Sequence, residues 1–433
     1  MNSDIPKRIL LLLTARTYRA KDFRDAAAKL GVEICAAVDM KQELAEYWNY
    51  PLGVDFSNPE QTVQAIKEFA QNKPIGAILT VDDSGSSIAA EASQELGLGH
   101  NSPEAALAAR DKYLMRSKLQ EAGIKVPEFS LHYFAAGSTL DQSSHNEIAR
   151  RIKYPVVVKP LSLNGSRGVI RADTPEGFTK AAARLSQIMQ TMSPPSEEIP
   201  YLVESYVDGL EVAVEGLLDN GNLHILAIFD KPDPLIGPYF EETIYITPSE
   251  LPPDVQEQIA ASCSAAAAAI GLREGPVHAE IRINNQGVWL IEIAGRSIGG
   301  LCSRTLQFGI ESSLEELIIR QSLGMDFEAL KRQDFANGVM MIPIPERGML
   351  RGISGIQDAE RVDLVEKVEI TARLNYSLIP LPEGDSYLGF IFARGRSTKS
   401  VESALRRAHK KLDFDILPEL MITPDNRFFN YLT

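Results

Sequence analysis

The stretch VHAEIRINNQGVWLIEIAGR, residues 277–296, reads as two strands joined by a turn. Its first half alternates, with Val277, Ala279, Ile281 and Ile283 on one face and His278, Glu280 and Arg282 on the other. Asn284-Asn285-Gln286-Gly287 is a hairpin turn signal. With Gly287 at positive φ as a one-residue bulge, Glu280 faces Glu292 across the ladder. Directly opposed like charges destabilise a sheet. Glu292 also lies in the apolar run 289–293, so its face is partly buried. A buried carboxylate is costly unless it is paired or bound to a metal. Two carboxylates ~5 Å apart suit Mg²⁺, which takes hard oxygen ligands and shares them with substrate phosphates. Taken alone, the pair also fits an ordinary hairpin with its polar face in water.

The neighbouring sequence adds cations and glycine. Arg296 ends the second strand, in the segment GRSIGG at 295–300. A guanidinium there can stabilise a transferring phosphoryl group or an acyl oxyanion. Lys159 ends the valine-rich strand at 155–159, where its ammonium can reach a phosphate. The loop after it, Ser162–Gly168, offers backbone N–H groups and hydroxyls as a phosphate cradle, although it is not a Walker A loop. Glu204 and Glu211 flank a connector whose Gly209 marks a tight bend. Its backbone can read a purine edge and an acid can take ribose hydroxyls; a surface hairpin is the simpler reading of that segment by itself.

The chain has 433 residues and a net charge of -14, which argues against non-specific binding to nucleic acid or anionic membrane. The first apolar run, 9–13, is far short of a membrane span and reads as a buried strand, not a leader. Cys35, Cys263 and Cys302 form neither a disulfide frame nor a metal motif, and with no export signal a reducing cytoplasm is expected. The six histidines make no zinc cluster. Residues 1–111 alternate strands (8–14, 32–38, 77–81) with helices (18–30, 61–71, 86–96), which implies a parallel sheet covered on both faces. The first turn, 14–17, lacks a GxGxxG signature. Ser102 caps a helix that runs to about 122. A small α+β unit comes next, with a proline-rich linker at 193–200. Further strands at 202–206, 211–218, 223–229, 277–283 and 288–293 accompany helices at 252–270 and 311–323. The last block has strands near 338–345 and 388–393 and a helix at 397–412.

In order, Asp111-Lys112, VVKP at 157–160, the Ser162–Gly168 loop, VESYVDGLE at 203–211, HAE at 278–280 and EIAGR at 292–296 resemble the ATP-grasp superfamily of carboxylate–amine ligases. The resemblance implies an α/β and α+β architecture, the ATP-grasp fold, with an N-terminal parallel α/β domain (1–111). An ATP-grasp domain (112–335, lid about 125–205) and a C-terminal mixed domain (336–433) complete it. It implies that Lys112 and Lys159 bind ATP phosphates, and that Ser162, Gly165, Ser166 and Gly168 belong to the loop closing over them. Glu204, Tyr206 and Val207 would hold adenine, largely through backbone, and Glu211 the ribose. Glu280 and Glu292 would bind Mg²⁺ (Mn²⁺ an alternative), and Arg296 would stabilise an acyl phosphate. Lys231 is a further neighbour of the phosphate or metal site, or else part of a surface turn.

Where many members carry Glu-x-Asn-x-Arg, this chain has Ala294. That pattern, with ETIYITP at 242–248, looks like the L-amino-acid ligases that make dipeptides. The resemblance then gives Glu242 a substrate ammonium. Gly300 leaves a roomier pocket than the bulky aromatic residue related enzymes carry there. Asp83 meets a substrate amine or caps a helix. The expected partners are small amino-acid-like substrates, with a homodimer as the expected assembly. Competing readings are a carboxylating enzyme resembling biotin carboxylase or the purine-pathway ligases, and a non-catalytic ATP-binding regulator. Glu242 and Asp83 favour an ammonium-bearing substrate over the first, and intact Glu280, Glu292 and Arg296 stand against the second.

Overall fold

The computed structural model describes residues 5–15, 17–135, 142–192 and 198–419. Most of the 193–200 linker and Arg16 of the first turn lie outside the described residues. The N-terminal unit is a parallel sheet in the order Leu52–Val54, Glu33–Asp39, Arg8–Thr14, Ala77–Thr80. Residues 9–13 of its inner strand Arg8–Thr14 are all apolar because both faces are covered. Ile9, Leu11 and Leu13 pack with Phe23 and Ala27 on one side, while Leu10 and Leu12 meet Ile66 and Ile88 on the other. The expected alternation of strand and helix is present. The short helix Gln42–Tyr47 and the strand Leu52–Val54 were not legible in the sequence.

An eight-stranded antiparallel sheet forms the body of the protein. It begins with Gly287–Ala294 and Gly275–Asn284, continues through Leu210–Asp219, Asn222–Asp230 and Ile244–Thr247, and ends with Ala336–Ile342, Gly389–Gly395 and Val365–Ile370. Ile244–Thr247 pairs directly with Ala336–Ile342, so the sheet runs unbroken across the expected boundary at 335. Helix Pro253–Ile270 covers one end through Ile259, Cys263, Ala266 and Ala267. Helix Thr398–His409 covers the other through Val401, Ala404 and Leu405. A separate four-stranded antiparallel sheet, Phe129–Phe134, Ile199–Ser205, Val156–Pro160 and Ile170–Ala172, carries helix Pro175–Gln190. This small unit overhangs the body.

Two local expectations need correction. The helix opened by Ser102 does not continue to 122. It stops at Arg110 and a new one runs Lys112–Glu121, because Asp111 is extended (φ −89°, ψ 111°) and its carboxylate caps Leu114 N–H. This break turns Lys112 toward the interior. The hairpin at 275–294 has the expected register, Glu280 opposite Glu292, but for a different reason. Gly287 pairs normally with Asn284, and the extra residue is Ile291, between the pairs Glu280–Glu292 and Ile281–Leu290. Ile291 carbonyl accepts from the buried Arg116 guanidinium, which holds the bulge in place.

Candidate active site

A cavity of about 570 Å³ opens between the parallel sheet, the small unit and the large sheet. Alternation along 275–284 delivers His278, Glu280 and Arg282 to it, while Val277, Ala279 and Ile281 go to the core. The bulge brings Glu292 to the same cavity, and Arg296 enters where the strand ends. Lys112, Lys159, Gly165, Ser166, Glu204, Tyr206, Val207, Glu211, Glu242, Asp83 and Gly300 also line it. Of the expected site residues, Ser162, Gly168 and Lys231 do not.

The two lysines converge on the carboxylates. Lys112 Nζ lies 3.2 Å from Glu292 and donates to Leu163 carbonyl at 3.0 Å, so it also tethers the glycine-serine loop. Lys159 Nζ lies 2.6 Å from Glu204, and burial pushes its pKa below the usual lysine value despite that carboxylate. Burial alone would raise the pKa of Glu204. The charges of Arg116 and Lys159 outweigh it and hold the carboxyl below its usual range. Glu204 was expected at the adenine largely through its backbone. Its side chain is committed to Arg116 at 2.7 Å and to Lys159, so only its backbone is available to a base. Arg116 is entirely buried one turn after Lys112; that i,i+4 spacing is the signal that could have found it.

Glu280 is pushed up to about 8, first by burial and then by Glu242, Glu211 and Glu292, against the relief supplied by Lys231. Glu292 goes the other way: burial raises it, but Lys112, Lys159 and Arg296 bring it below the ordinary value. Oxygens of Glu211, Glu242 and Glu280 all lie within 4.8 Å of one another. Lys231 sits among them, 2.8 Å from Glu211, 2.5 Å from Glu242 and 3.6 Å from Glu280. It is no surface turn, and it does not face the cavity; it is a buried cation behind the acids. Burial disfavours its charge, but the three carboxylates raise its pKa well above the usual value. Glu211 is further held by Arg282 Nε at 2.6 Å, and the same guanidinium donates to Val207 carbonyl. The Arg282 guanidinium lies over the Tyr206 and Phe240 rings, an aromatic wall at the connector.

Arg296 Nε donates to Asp83 Oδ2 at 2.5 Å. Asp83 is therefore neither an amine ligand with both oxygens free nor a side-chain cap; it is the partner of the arginine. Burial opposes the guanidinium charge, but Asp83, Glu292 and Glu215 raise its pKa above the usual arginine value. The residues just after Arg296 are held too. Arg19 Nη2 donates to Ser297 Oγ at 2.7 Å, and Ile298 N–H to the buried Glu215 at 3.0 Å. Glu215 lies 3.3 Å from His278 Nδ1, and burial first, then Arg296, pushes His278 down to about 3, so it stays neutral. No local pattern marked Arg19 or Glu215. Gly300 adopts φ +61°, and a Cβ there would come 2.9 Å from Phe390. Gly168 is a packing residue, wedged against Leu185 and Pro160, and its N–H donates to Pro382 carbonyl.

The donor set fits Mg²⁺: opposed glutamates, hard oxygens and a repulsion that a cation relieves. The lysines and the loop fit a polyphosphate beside it.

The ATP-grasp domain matches residues 152–305, and the L-amino acid ligase C-terminal domain 2 matches residues 340–416. The chain is 28% identical over 270 residues to alanine–anticapsin ligase of Bacillus amyloliquefaciens, covering 58% of this chain and 54% of that protein. It thus spans about half the length of that relative. The crystal structure of L-amino acid ligase from Bacillus licheniformis superposes with a TM-score of 0.76 at 24% identity, covering 94% of this chain and 98% of that one. N5-carboxyaminoimidazole ribonucleotide synthetase from Thermotoga maritima shares the fold at a TM-score of 0.67 and 16% identity, over 95% and 99% of the two chains. With the ordered motifs, the fold and both domain matches in agreement, this chain carries an ATP-grasp domain at residues 152–305 and the L-amino acid ligase C-terminal domain 2 at residues 340–416.

Proposed function

We propose that this protein is an ATP- and Mg²⁺-dependent ligase that joins a carboxylate to an amine, with L-amino acids as substrates and a dipeptide as product. The observation that carries the reading is one cavity lined by Lys112, Lys159, the Glu280–Glu292 pair and Arg296. Lys112 and Lys159 would neutralise the phosphates, with Gly165 and Ser166 above them. Tyr206, Val207 and Glu211 would receive the nucleoside. Glu280 and Glu292 would hold Mg²⁺, whose charge favours the phosphates in transit.

In the first step a substrate carboxylate oxygen attacks the γ-phosphorus and ADP leaves. Catalysis there is mostly positioning and charge neutralisation. Arg296, kept charged and aimed by Asp83, faces the carboxyl group as it becomes an acyl phosphate. In the second step an amine nitrogen attacks the acyl carbon, phosphate leaves and the nitrogen loses a proton. Glu242 faces the cavity and would receive an ammonium, its charge shared with Lys231. Lys231 remains an ammonium and serves charge balance, not proton abstraction. Gly300 lines the cavity together with Tyr18 and Tyr387, and its positive φ and the nearby Phe390 leave no space for a side chain there.

The test is ADP and phosphate release with Mg²⁺-ATP against all twenty amino acids, singly and in pairs, with product masses. Release that needs a particular pair and yields a condensed mass is expected. Absence of release across the panel, with ATP still bound, would overturn the dipeptide reading.

A further inference from the structure

The small unit that overhangs the cavity is gripped from the C-terminal region. Arg184, on helix Pro175–Gln190, makes a two-pronged ion pair with Glu383: Nε to Oε1 at 2.6 Å and Nη2 to Oε2 at 3.0 Å. Its remaining Nη1 donates to the Tyr239 hydroxyl. One residue before Glu383, Pro382 carbonyl accepts from Gly168 N–H at 2.9 Å, at the end of the glycine-serine loop. Two residues after it, Asp385 lies 3.5 Å from the position a Cβ on Gly165 would take. The same segment then lines the cavity with Asp385, Ser386 and Tyr387. One short run of chain thus touches the overhanging helix, the loop and the reaction space. These contacts join residues about 200 apart in the chain, from the small unit and from the run before strand Gly389–Gly395 of the large sheet.

We infer that segment 382–387 is a clasp that holds the small unit closed over the reacting groups, with Glu383 and Arg184 as the pair that positions it. The inference rests on the ligase reading above. An acyl phosphate hydrolyses if water reaches it, so a loosened lid diverts ATP into ADP and phosphate without product. Glu383 and Arg184 touch no reacting atom; they act through the loop. A planar guanidinium held at two points fixes orientation as well as distance, which a single contact does not. Burial works against the Glu383 charge, but Arg184, with smaller help from a backbone N–H and from Arg347 at 3.8 Å, holds the carboxyl below its usual pKa. The pair is partly exposed, with side-chain exposures of 41% and 26%, so its loss loosens a contact without hollowing a core.

The experiment is a double-mutant cycle with Arg184→Met, Glu383→Gln and both together. ADP released per dipeptide formed is measured in the full-length protein. Each single variant should raise that ratio roughly fivefold, the loss expected of a partly exposed two-pronged pair, and the double variant should be no worse than either. A second measurement is trypsin cleavage after Arg167, in the loop, with and without the Mg²⁺ complex of a non-hydrolysable ATP analogue. The analogue should protect the parent chain and protect the variants several-fold less. Unchanged coupling and unchanged protection in both single variants would overturn the clasp. Additive effects in the double variant would overturn the pairing. If the parent chain makes no product with any amine, the ligase reading fails, and the protection assay still decides the clasp.

Discussion

Glu280 is the residue at which charge and function meet. Its carboxyl is pushed up to about 8 by burial and three neighbouring acids. A folded-state value raised above the ordinary 4.5 contributes stability that is fully present below about 4.5 and is lost as pH rises through about 8. On the proposed reading Mg²⁺ would bind only the ionised form of Glu280, and would have to displace this proton. The concentration of Mg²⁺ that half-saturates the site should therefore fall as pH rises from 6 to 8, by up to roughly tenfold per unit, and level off above that. Calorimetric titration of Mg²⁺ in the presence of ADP across that range checks it. A flat profile would show that Glu280 is already ionised. Glu280→Gln should abolish the dependence along with most of the binding.

Arg116 shows how one helix organises the end of the cavity lined by Lys112 and Lys159. The break at Asp111 starts a helix whose first residue is Lys112, and one turn later Arg116 enters the core with no exposure at all. From there it reaches Glu204 on one strand and the Ile291 bulge on another. A buried charge left without its partner is far more costly than the pair is stabilising. Arg116→Met keeps the volume but leaves Glu204 with Lys159 alone. It should lower unfolding stability by ~3–5 kcal/mol, read by urea denaturation. It should also free Glu292 from its register by relaxing the bulge, so that Mg²⁺ affinity falls together with stability. A variant that loses stability while keeping full Mg²⁺ affinity would mean that the bulge holds by itself. The connector after Glu204 needs its glycine: Gly209 has φ +119°, and a Cβ there would come 2.2 Å from Ile283 carbonyl oxygen.

The site is assembled from three separate layers. The N-terminal unit supplies Asp83 and Arg19, the small unit supplies Lys159, Glu204 and the glycine-serine loop, and the large sheet with its connections supplies the other acids and Arg296. Arg296 and Asp83 are 213 residues apart in the chain. Asp83→Ala should leave nucleotide binding within about twofold, since the ion pair of Asp83 is with Arg296 and with neither lysine, and reduce kcat roughly 10²-fold by releasing the arginine from its aim. Steady-state kinetics beside equilibrium nucleotide binding separate the two. Equal loss of both would show that Asp83 supports the fold instead. Among the described residues no helix is long and apolar enough to cross a membrane.

Periodicity carried much of this in advance. Strict alternation at 277–283 placed Glu280 in the cavity and Ala279 in the core, and strand-terminal position placed Lys159. These are local properties, set by the pleat of the chain and independent of what packs against it. Contacts set by long-range pairing were not legible. Glu204 was expected at adenine largely through its backbone, and nothing local showed that its side chain holds Arg116 and Lys159; Asp83 was expected at a substrate amine or as a helix cap, and nothing local showed that it holds Arg296. The register of 280 against 292 was expected from a bulge at Gly287 and comes from one at Ile291, tied by an arginine from another helix. A carboxylate announces that it needs a cation, and nothing in its neighbours along the chain says which one. Only the fold decides, because desolvation makes every buried charge take whichever opposite charge the packing brings within about 3 Å.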